Sequence, residues 1–551
     1  MKMQIFKKLL WLLLLIIFII VGWRLVNVHC KPDPRVVRQS QRQYWLQIPF
    51  SANRGDITDT FGKAFSLSIP SFSFFIDPLF WDPQNTNAFV DILNKDILNK
   101  INKKLEGRFF WLIRRVDENT ANAIRAKNID GIYECKENLR IYPNNNMLAH
   151  VLGYCDIEGN GLSGMELIWN KILYSPSGVK ILAKASTGGN YEIVNNNSSK
   201  SRLRLTIDSR MQYFVEQYLD EGVRGNGARW GAVVCLDVDS GAIRAVASWP
   251  TFNPNHREDV ANRKLQTNNA LGRTYEPGST LKPVICAIAL ERGAVRRDSS
   301  FYCPQRIRIA DGYISDHTGN GTLNVNGIIV KSSNVGMAQI GMKVKPFDMY
   351  NSLREWGFGI DPNVEINGVE EGLIASPELW RGVIPSNIAI GQGLAVTPLQ
   401  LVSSIAAIAN QGVLLRPYLV EEAIDSFGRI VYKGGKTVVR TVLSPPTASW
   451  ITHAMRDVVT DGTGKSANSN MVEIAGKTGT AEVAGKGSYL EGRWVSSFIG
   501  FWPFKTPRYA MIVVIGEPTR GKYYGAEVAA PIFRKIVEET LKMNTNKEKY
   551  L

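Results

Sequence analysis

The N-terminus of the chain carries a long apolar segment. Three lysines within residues 1–8 precede residues 9–23, which contain no charged side chain. A run of this length and composition either spans a membrane or is removed as a signal peptide. Residues 26–30 lack the small side chains that a signal peptidase site requires. We therefore predict a retained anchor helix at residues 9–28, after a cytoplasmic tail.

The basic tail also sets the predicted orientation of this helix. Short basic segments stay in the cytoplasm, so the chain after about residue 30 is expected on the outer side of the membrane. The basic residues just outside the anchor either lie against anionic headgroups or form part of a generally basic surface. They are Lys31, Arg35, Arg38 and Arg42. The net charge of +15 does not indicate a nucleic-acid partner in an exported protein, so we expect none.

The length of 551 residues indicates more than one domain, because a single hydrophobic core stops growing well before that size. Residues 29–200 are interrupted by Pro, Gly and Asn clusters and contain an amphipathic piece at 91–105, which predicts an extended α+β pedestal module. An Asn and Ser run at 195–199 is typical of a linker. A compact domain at 203–541 and a short tail at 542–551 are expected to follow.

The compact domain has strand patterns at both ends and helical patterns between them. Apolar runs at Trp230–Asp237 and Ile243–Ala247 are separated by Asp-Ser-Gly, which predicts a hairpin. Two more strands are predicted at Val495–Phe501 and Tyr509–Ile515, and a helix from about residue 530 to 541. The expected fold class is therefore mixed α/β, of the α+β type, with a central antiparallel sheet flanked by helices.

The cysteines and histidines do not indicate a metal site. The six cysteines contain no Cys-x-x-Cys pair and the five histidines show no paired spacing. A dense disulfide framework is not indicated either, although a single bridge stays open. The sequence Gly391-Gln-Gly393 lacks the third glycine of a dinucleotide-binding loop. We expect neither a cofactor nor a metal.

Two Ser-x-x-Lys sequences occur, and a motif this short arises by chance. Ser177-Gly-Val-Lys180 follows Ser-Pro and contains a glycine, so we interpret it as a loop coincidence. Ser279-Thr-Leu-Lys282 follows a Pro-Gly turn and continues into an apolar helix. Residues three apart on a helix are neighbours, so Lys282 is expected beside the hydroxyl of Ser279 at a helix N-terminus. That geometry suits an activated serine.

Two later motifs give this serine its context. Ser332-Ser333-Asn334 and Lys477-Thr478-Gly479-Thr480 follow it in that order. Together the three motifs resemble those of the penicillin-binding protein and serine β-lactamase superfamily. Longer segments, among them Tyr-Glu-Pro-Gly-Ser-Thr-Leu-Lys-Pro at 275–283 and Gly-Lys-Tyr-Tyr-Gly-Ala at 521–526, resemble class B penicillin-binding proteins. They are most similar to the division-specific FtsI type.

The resemblance implies a role for each catalytic motif. Lys282, as a neutral amine, would take the proton of Ser279 as its oxygen attacks a terminal D-alanyl-D-alanine. Lowering the pKa of a lysine from about 10.4 to about 7 costs roughly 4 to 5 kcal/mol, which burial and the nearby Lys477 would supply. Ser332 would relay the proton to the departing D-alanine. Asn334 would orient Lys282 and hold the substrate amide.

The same resemblance implies a groove beside the serine. The backbone N–H groups of Ser279 and Thr480 would form an oxyanion hole, while Thr478, Gly479 and Thr480 would line the site of the substrate carboxylate, next to Lys477. The implied activity is a serine-type D,D-transpeptidase that cross-links peptidoglycan stem peptides. β-Lactam antibiotics would acylate the same serine because their strained amide mimics D-alanyl-D-alanine.

Several alternatives remain open at this stage. The chain could be a transpeptidase that acts in cell elongation instead of division. It could also be a β-lactamase or β-lactam sensor with the same motifs, or a catalytically inactive scaffold that recruits division proteins. The anchor and the long pedestal module argue against a β-lactamase. No glycosyltransferase residues are evident, so a partner of the FtsW type and other division proteins are implied. The implied location is the bacterial inner membrane, single-pass, with the catalytic domain in the periplasm at the septum.

Overall fold

The computed structural model describes residues 2–30, 45–49, 54–78, 80–102, 105, 109–174, 179–183, 192–193, 201–485 and 488–548. Lys31, Arg35, Arg38, Arg42, Ser177 and the predicted linker at 195–199 lie outside the described residues. The chain divides into two compact units. The first comprises residues 1–53, 69–139 and 176–199, and the second comprises residues 54–68, 140–175 and 200–551. Segments 54–68 and 140–175, which the sequence analysis assigns to the pedestal module, thus share a unit with residues 200–551.

The α-helices are numbered in chain order. They are α1 (Lys2–Cys30), α2 (Lys95–Ile101), α3 (Glu118–Arg125), α4 (Ala149–Leu152), α5 (Gly164–Ile168), α6 (Asn170–Leu173), α7 (Ser209–Asn226), α8 (Arg257–Ala261), α9 (Lys282–Glu291), α10 (Val325–Lys331), α11 (Asn334–Gly341), α12 (Pro346–Glu355), α13 (Ile384–Ala389), α14 (Pro398–Ala409), α15 (Pro445–Thr460) and α16 (Gly525–Glu548). Shorter 3-10 turns occur at Pro83–Phe89, Arg263–Leu265, Gly278–Leu281, Pro377–Leu379 and Lys465–Ala467.

The strands are numbered in the same way. They are β1 (Trp45–Pro49), β2 (Asp56–Thr58), β3 (Ala64–Ile76), β4 (Phe110–Val116), β5 (Ile132–Ile141), β6 (Val179–Ala183), β7 (Glu192–Ile193), β8 (Arg202–Leu205), β9 (Trp230–Asp237), β10 (Ile243–Trp249), β11 (Ser300–Cys303), β12 (Arg306–Ile309), β13 (Gly312–Ser315), β14 (Gly321–Asn324), β15 (Leu373–Ile374), β16 (Leu394–Ala395), β17 (Val413–Leu415), β18 (Val420–Ile424), β19 (Ile430–Lys433), β20 (Val438–Thr441), β21 (Ala475–Ala484), β22 (Tyr489–Trp502) and β23 (Tyr509–Gly516).

Helix α1 is long and apolar enough to cross a membrane, and its segment Met3–Asn27 is not buried by the rest of the chain. An apolar helix without packing partners is stable in lipid, where all its backbone groups are bonded internally. The helix starts at Lys2, so it also includes residues that the sequence predicted as a tail. Elsewhere in the first unit, β3 pairs with β4, and a small core forms around Phe74, Trp81 and Leu112.

A five-stranded antiparallel sheet forms the centre of the second unit, with strand order β10-β9-β23-β22-β21. This confirms the sheet predicted from both ends of the domain. Alternate residues of β9 enter two different hydrophobic clusters: Val233 and Cys235 pack with α7 and α16, while Ala232 and Val234 pack with α14. A strand covered on both faces is apolar throughout, which explains the continuous run in the sequence.

Helices α9, α10, α11 and α15 form a block beside this sheet. Helix α9 contacts α11 and α15, and α15 also contacts β21, the edge strand of the sheet. Nearly every residue of α9 is buried, in keeping with its apolar sequence. The edge of β21 thus faces the helical block.

A buried ion cluster joins the early segments of the second unit. Glu166, which is completely buried, contacts Arg54 and Arg140, and accepts a hydrogen bond of 3.2 Å from the hydroxyl of Tyr142. Although burial alone would raise the pKa of the Glu166 carboxyl, the charges of Arg140 and Arg54 hold it below its usual value. A buried carboxylate with two cationic partners and a hydroxyl is well satisfied.

Candidate active site

Ser279 lies in the 3-10 turn Gly278–Leu281, which we call the Ser279 turn. The sequence predicts Ser279 at a helix N-terminus; in the structure it lies in this 3-10 turn, and α9 follows from Lys282. The N–H of Lys282 donates to the carbonyl of Ser279, which is the tighter 3-10 hydrogen bond. The next residue, Pro283, has no N–H, so the corresponding α-helical bond cannot form.

Two further contacts fix the shape of the Ser279 turn. Gly278 has a φ of +55°, in the left-handed region that favours glycine. Its N–H donates a hydrogen bond of 2.9 Å to the carbonyl of Gly391. Thr280 Oγ1 donates a hydrogen bond of 2.7 Å to the carbonyl of Pro277. The turn is therefore held from both sides, and the Ser279 side chain is only partly buried.

Lys282 is completely buried beneath this turn. Its Nζ donates hydrogen bonds of 2.7 Å to the carbonyl of Ser332 and of 2.7 Å to Oδ1 of Asn334. Burial disfavours the ammonium form and lowers the pKa of Lys282 to about 7, although the negative charge of Asp316 acts in the opposite direction. A substantial fraction of Lys282 is therefore neutral near pH 7, and burial is the main cause, whereas the sequence analysis also assigns part of the shift to Lys477.

Ser332 directly follows α10 and has a φ of +57°. This left-handed conformation is uncommon for a residue other than glycine, and such strained residues concentrate at functional sites. Its hydroxyl lies 3.4 Å from Lys282 Nζ and 2.8 Å from Lys477 Nζ. The next residue, Ser333, caps α11 by accepting a hydrogen bond of 2.9 Å from the N–H of Gly336.

Lys477 is the second buried amine of the site and lies on the edge strand β21. Besides its bond to Ser332 Oγ, its Nζ donates a hydrogen bond of 3.1 Å to the carbonyl of Thr478. Burial and the charge of Lys282 hold the pKa of Lys477 well below its usual value. The two amines therefore compete for protonation, because each ammonium disfavours the other.

Gly479 allows β21 to approach the Ser279 turn closely. A Cβ atom at this position would lie 2.5 Å from Ser497 Oγ and 2.7 Å from Cγ2 of Thr280. Real Cβ atoms do not approach so closely, so a larger residue fits here only if these neighbouring side chains or the strand shift. The Lys-Thr-Gly motif thus lies directly against the turn that carries Ser279.

The two threonines of this motif are held by groups outside it. Thr478 Oγ1 lies 2.8 Å from Oγ1 of Thr463, in the loop after α15. Thr480 Oγ1 accepts a hydrogen bond of 3.0 Å from the N–H of Gly525, the first residue of α16. Neither contact could be predicted from the sequence: Thr463 belongs to no local pattern that indicates a site, and Gly525 lies in the 521–526 segment, whose resemblance to the family does not reveal a contact with Thr480.

Asp316 is a further residue that the sequence analysis missed. This buried aspartate follows β13 and accepts hydrogen bonds from the N–H groups of Asn334 and Val335 and from the hydroxyl of Ser333. It thereby fixes the start of α11, from which Asn334 reaches Lys282. A carboxylate at a helix N-terminus is favoured by the free N–H groups there.

The structure brings four of the five predicted catalytic residues into one hydrogen-bonded cluster. They are Lys282, Ser332, Asn334 and Lys477. The fifth, Ser279, lies at the adjoining turn, but among the described residues its hydroxyl has no hydrogen-bond partner. The predicted proton transfer from Ser279 to Lys282 therefore stays a prediction.

The described residues contain no group of three or more His, Cys, Asp or Glu side chains placed to hold a metal ion. Five of the six cysteines are described as free thiols, and they are Cys135, Cys155, Cys235, Cys286 and Cys303. The site presents hydroxyl and amine groups: a serine at a tight turn, an amine with a pKa near neutrality, and a second hydroxyl between two amines.

Comparison with known proteins assigns both parts of the chain to one family. Residues 231–538 match the penicillin-binding protein transpeptidase domain, and residues 49–202 match the penicillin-binding protein dimerisation domain. The peptidoglycan D,D-transpeptidase FtsI of Escherichia coli K12 is 31% identical over 93% of this chain and 87% of its own length. The probable peptidoglycan D,D-transpeptidase PenA of Neisseria gonorrhoeae is 31% identical over 89% of this chain and 84% of its own.

Solved structures show the same fold at lower identity. A peptidoglycan synthetase from Bifidobacterium adolescentis superposes with a TM-score of 0.72 at 23% identity, covering 91% of this chain and 97% of the other. Penicillin-binding protein 3 of Mycobacterium tuberculosis, in complex with aztreonam, gives a TM-score of 0.71 at 24% identity, covering 90% and 97%. The chain therefore belongs to the penicillin-binding protein transpeptidase family and is a class B member, a peptidoglycan D,D-transpeptidase with a dimerisation domain ahead of the transpeptidase domain.

Proposed function

We propose that this transpeptidase works through an acyl-enzyme on Ser279 and that it serves septal wall synthesis. The observation that carries the first part is the buried Lys282, whose pKa of about 7 lies near neutrality and whose Nζ is bonded to Ser332 and Asn334 beside the Ser279 turn. A base whose pKa lies near the working pH is suited to repeated gain and loss of a proton.

In the acylation step, Ser279 Oγ attacks the carbonyl carbon of the penultimate D-alanine of a donor stem peptide. Neutral Lys282 takes the proton of the hydroxyl as the new C–O bond forms. Ser332 then gives its own proton to the nitrogen of the terminal D-alanine and receives one from Lys282, and the C–N bond breaks. D-Alanine leaves, and the donor stays bound as an ester of Ser279.

In the transfer step, the amine of a neighbouring stem peptide attacks the ester carbon. Lys282, again neutral, takes a proton from that amine, and the C–O bond to Ser279 breaks while its oxygen regains the proton. The product is an amide cross-link between two stem peptides. A water molecule in place of the amine would give hydrolysis instead.

The edge strand β21 supplies the binding groove in this proposal. The backbone N–H groups of Ser279 and Thr480 stabilise the oxyanion of the tetrahedral intermediate. Thr478 and Thr480, with Gly479 between them, line the site of the substrate carboxylate next to Lys477. Support comes from Gly479, whose lack of a side chain brings this strand against the Ser279 turn.

The acylation chemistry is tested with the detergent-solubilised full-length protein, a synthetic D-alanyl-D-alanine donor peptide and an amine acceptor. We expect release of one D-alanine for each acyl group transferred, and complete loss of release in Ser279→Ala. Release that continues in Ser279→Ala would disprove the nucleophile. Rapid turnover of nitrocefin by the intact protein would favour a β-lactamase, and covalent β-lactam binding without donor turnover would favour a sensor.

The cellular part of the proposal is a single-pass anchor in the inner membrane, with the catalytic domain in the periplasm. Helix α1 and its basic start support this orientation. The partners in this proposal are an FtsW-type glycosyltransferase, which would polymerise the glycan strands, and other division proteins; the domains matched in this chain are a dimerisation and a transpeptidase domain. A fluorescent fusion is expected at the septum of dividing cells. An even distribution along the lateral wall would favour elongation, and normal division of a Ser279→Ala strain would favour a scaffold.

A further inference from the structure

The carboxylate of Glu276 joins two distant segments beside the active site. Its Oε1 accepts a hydrogen bond of 2.9 Å from the N–H of Gly393, which is 117 positions away. Its Oε2 accepts one of 3.0 Å from the hydroxyl of Tyr489, which is 213 positions away. Glu276 itself lies just before the Ser279 turn. We call this pair of hydrogen bonds the Glu276 clasp.

The loop on one side of the clasp already touches the Ser279 turn. Gly391 accepts the hydrogen bond from the N–H of Gly278, and it has a φ of +84°. A Cβ atom on Gly391 would lie 2.1 Å from the carbonyl oxygen of Gly278, so the two backbones are in direct contact. The bond from Gly393 to Glu276 therefore adds a second anchor between this loop and the turn.

The segment on the other side of the clasp is the hairpin that carries the Lys-Thr-Gly motif. Tyr489 is the first residue of β22 and pairs with Ala484 at the end of β21. Because β21 is an edge strand, β22 is its one strand neighbour among the described residues. The bond from Tyr489 to Glu276 therefore ties the far end of the hairpin to the segment that carries Ser279.

Both hydrogen bonds of the Glu276 clasp are solvent-exposed, and Tyr489 is 40% exposed. Tyr489 is nevertheless a hydrogen-bond donor, because partial burial, and next the charge of Glu276, raise the pKa of its phenol. The pKa of the Glu276 carboxyl is itself raised, chiefly by burial, and also by the charge of Glu482 on β21. The N–H of Gly393 and the hydroxyl of Tyr489 oppose this shift, as donors to a carboxylate do.

We propose that Glu276 is a positioning residue, and that its clasp fixes the end of the β21–β22 hairpin relative to Ser279. The inference rests on the proposed acyl-enzyme at Ser279. The acting groups, Ser279 on the turn and the N–H of Thr480 on β21, belong to segments that the clasp holds together. A displacement of about 1 Å between such groups can lower a rate by roughly 10²-fold. The clasp thus controls the rate of acylation more than the binding that precedes it.

Four variants of the full-length protein separate this role from a chemical one. Glu276→Ala removes both bonds, and Tyr489→Phe removes one while preserving the ring. Glu276→Gln keeps both contacts without a charge, because its carbonyl oxygen accepts from Gly393 and its amide group donates to the oxygen of Tyr489. Tyr213→Phe, at an exposed tyrosine on α7, is the matched control.

The experiment measures the acylation rate constant and the preceding dissociation constant for a fluorescent penicillin by stopped flow. One hydrogen bond contributes about 2- to 10-fold, so we expect Tyr489→Phe to slow acylation by roughly 5-fold. Glu276→Ala is expected to slow it by about 30-fold or more through the misplaced hairpin. Glu276→Gln and Tyr213→Phe should retain most of the rate, and the dissociation constant should change little throughout.

Two results would contradict the proposal that Glu276 is a positioning residue. If Glu276→Gln lowers the acylation rate constant as much as Glu276→Ala does, the charge of the carboxylate acts directly and Glu276 is not a positioning residue. If Tyr489→Phe acylates like Tyr213→Phe, the bond to the hairpin has no effect; this test survives even if Glu276→Ala fails to fold. Wild-type protein that is not acylated at Ser279 would instead disprove the proposed function, which keeps the two failures distinct.

Discussion

Lys477 Nζ donates a hydrogen bond of 2.8 Å to Ser332 Oγ, across 145 positions of the sequence. The same hydroxyl lies 3.4 Å from Nζ of Lys282, so two buried amines meet at one serine. Burial lowers the pKa of both lysines, and their mutual repulsion disfavours a second proton in the cluster. A proton taken at Lys282 can pass through Ser332, which is the path that the proposed mechanism uses.

The lowered pKa of Lys282 predicts how acylation depends on pH. Only the neutral amine can accept the proton of Ser279, and the pKa of Lys282 is about 7. The second-order rate constant for acylation by penicillin should therefore rise with pH and reach half its maximum at about pH 7. Well below that value it should fall about tenfold for each pH unit. A rate constant that is flat between about pH 5.5 and about pH 8.5, with the protein folded throughout by circular dichroism, would contradict this role.

Substitution of Asp316 should shift this profile in a known direction. The negative charge of Asp316 raises the pKa of Lys282, so its removal in Asp316→Asn should lower that pKa further. The half-maximal pH of acylation should then move downward. The remaining side-chain oxygen of asparagine can still accept from the N–H groups of Asn334 and Val335.

Asp316→Ala should have a different effect, because it leaves those two N–H groups without their acceptor. An unsatisfied buried donor costs about 1–3 kcal/mol, so we expect acylation to fall by roughly 10- to 100-fold as α11 and Asn334 shift. Asp311→Asn, at an exposed aspartate between β12 and β13, is the matched control. An Asp316→Asn profile that moves upward, or does not move, would show that this charge does not act on Lys282.

Gly479→Ala should impair acylation without preventing folding. The added Cβ would meet Ser497 Oγ at 2.5 Å and Cγ2 of Thr280 at 2.7 Å, so these side chains or β21 itself must shift where the strand contacts the Ser279 turn. We expect the acylation rate constant to fall by about 100-fold, because a displacement of about 1 Å between reacting groups lowers the reaction rate by roughly that factor. Stopped-flow measurement with a fluorescent penicillin tests this.

The matched control is Gly225→Ala on α7, where a Cβ would meet no atom within 4 Å. Alanine is favoured over glycine in a helix by about 1 kcal/mol, so this variant should be at least as stable as wild type and react normally. Equal acylation by the two alanine variants would mean that close contact between β21 and the Ser279 turn is not required.

The central sheet could be predicted because its strands carry a strong local signal. The apolar run at Trp230–Asp237 coincides with β9, and Ile243–Ala247 lies within β10. Strand β22 starts at Tyr489, earlier than the predicted Val495, because its first six residues are exposed or half-buried and lack a run of buried positions. Helix α16 likewise begins at Gly525 instead of about residue 530.

The convergence of the motifs could be predicted from their order, whereas the supporting contacts could not. Lys282, Ser332 and Lys477 do form one cluster. Asp316 carries no local signature, and the Tyr-Glu-Pro-Gly-Ser-Thr segment that contains Glu276 does not reveal its partners, since both residues act on segments brought to them by the tertiary fold. The 3-10 geometry at Ser279 depends on Pro283, whose effect on a single hydrogen bond is easily overlooked in an otherwise helical pattern.

The identity of the acylated residue is the most direct test of the account. Fluorescent penicillin is incubated with wild-type protein and with two variants, and the denatured proteins are then examined for covalent label and for the mass of the labelled peptide. The account predicts label on the peptide that contains Ser279 in wild type and in Ser177→Ala, and none in Ser279→Ala. Label that persists in Ser279→Ala but disappears in Ser177→Ala would contradict it.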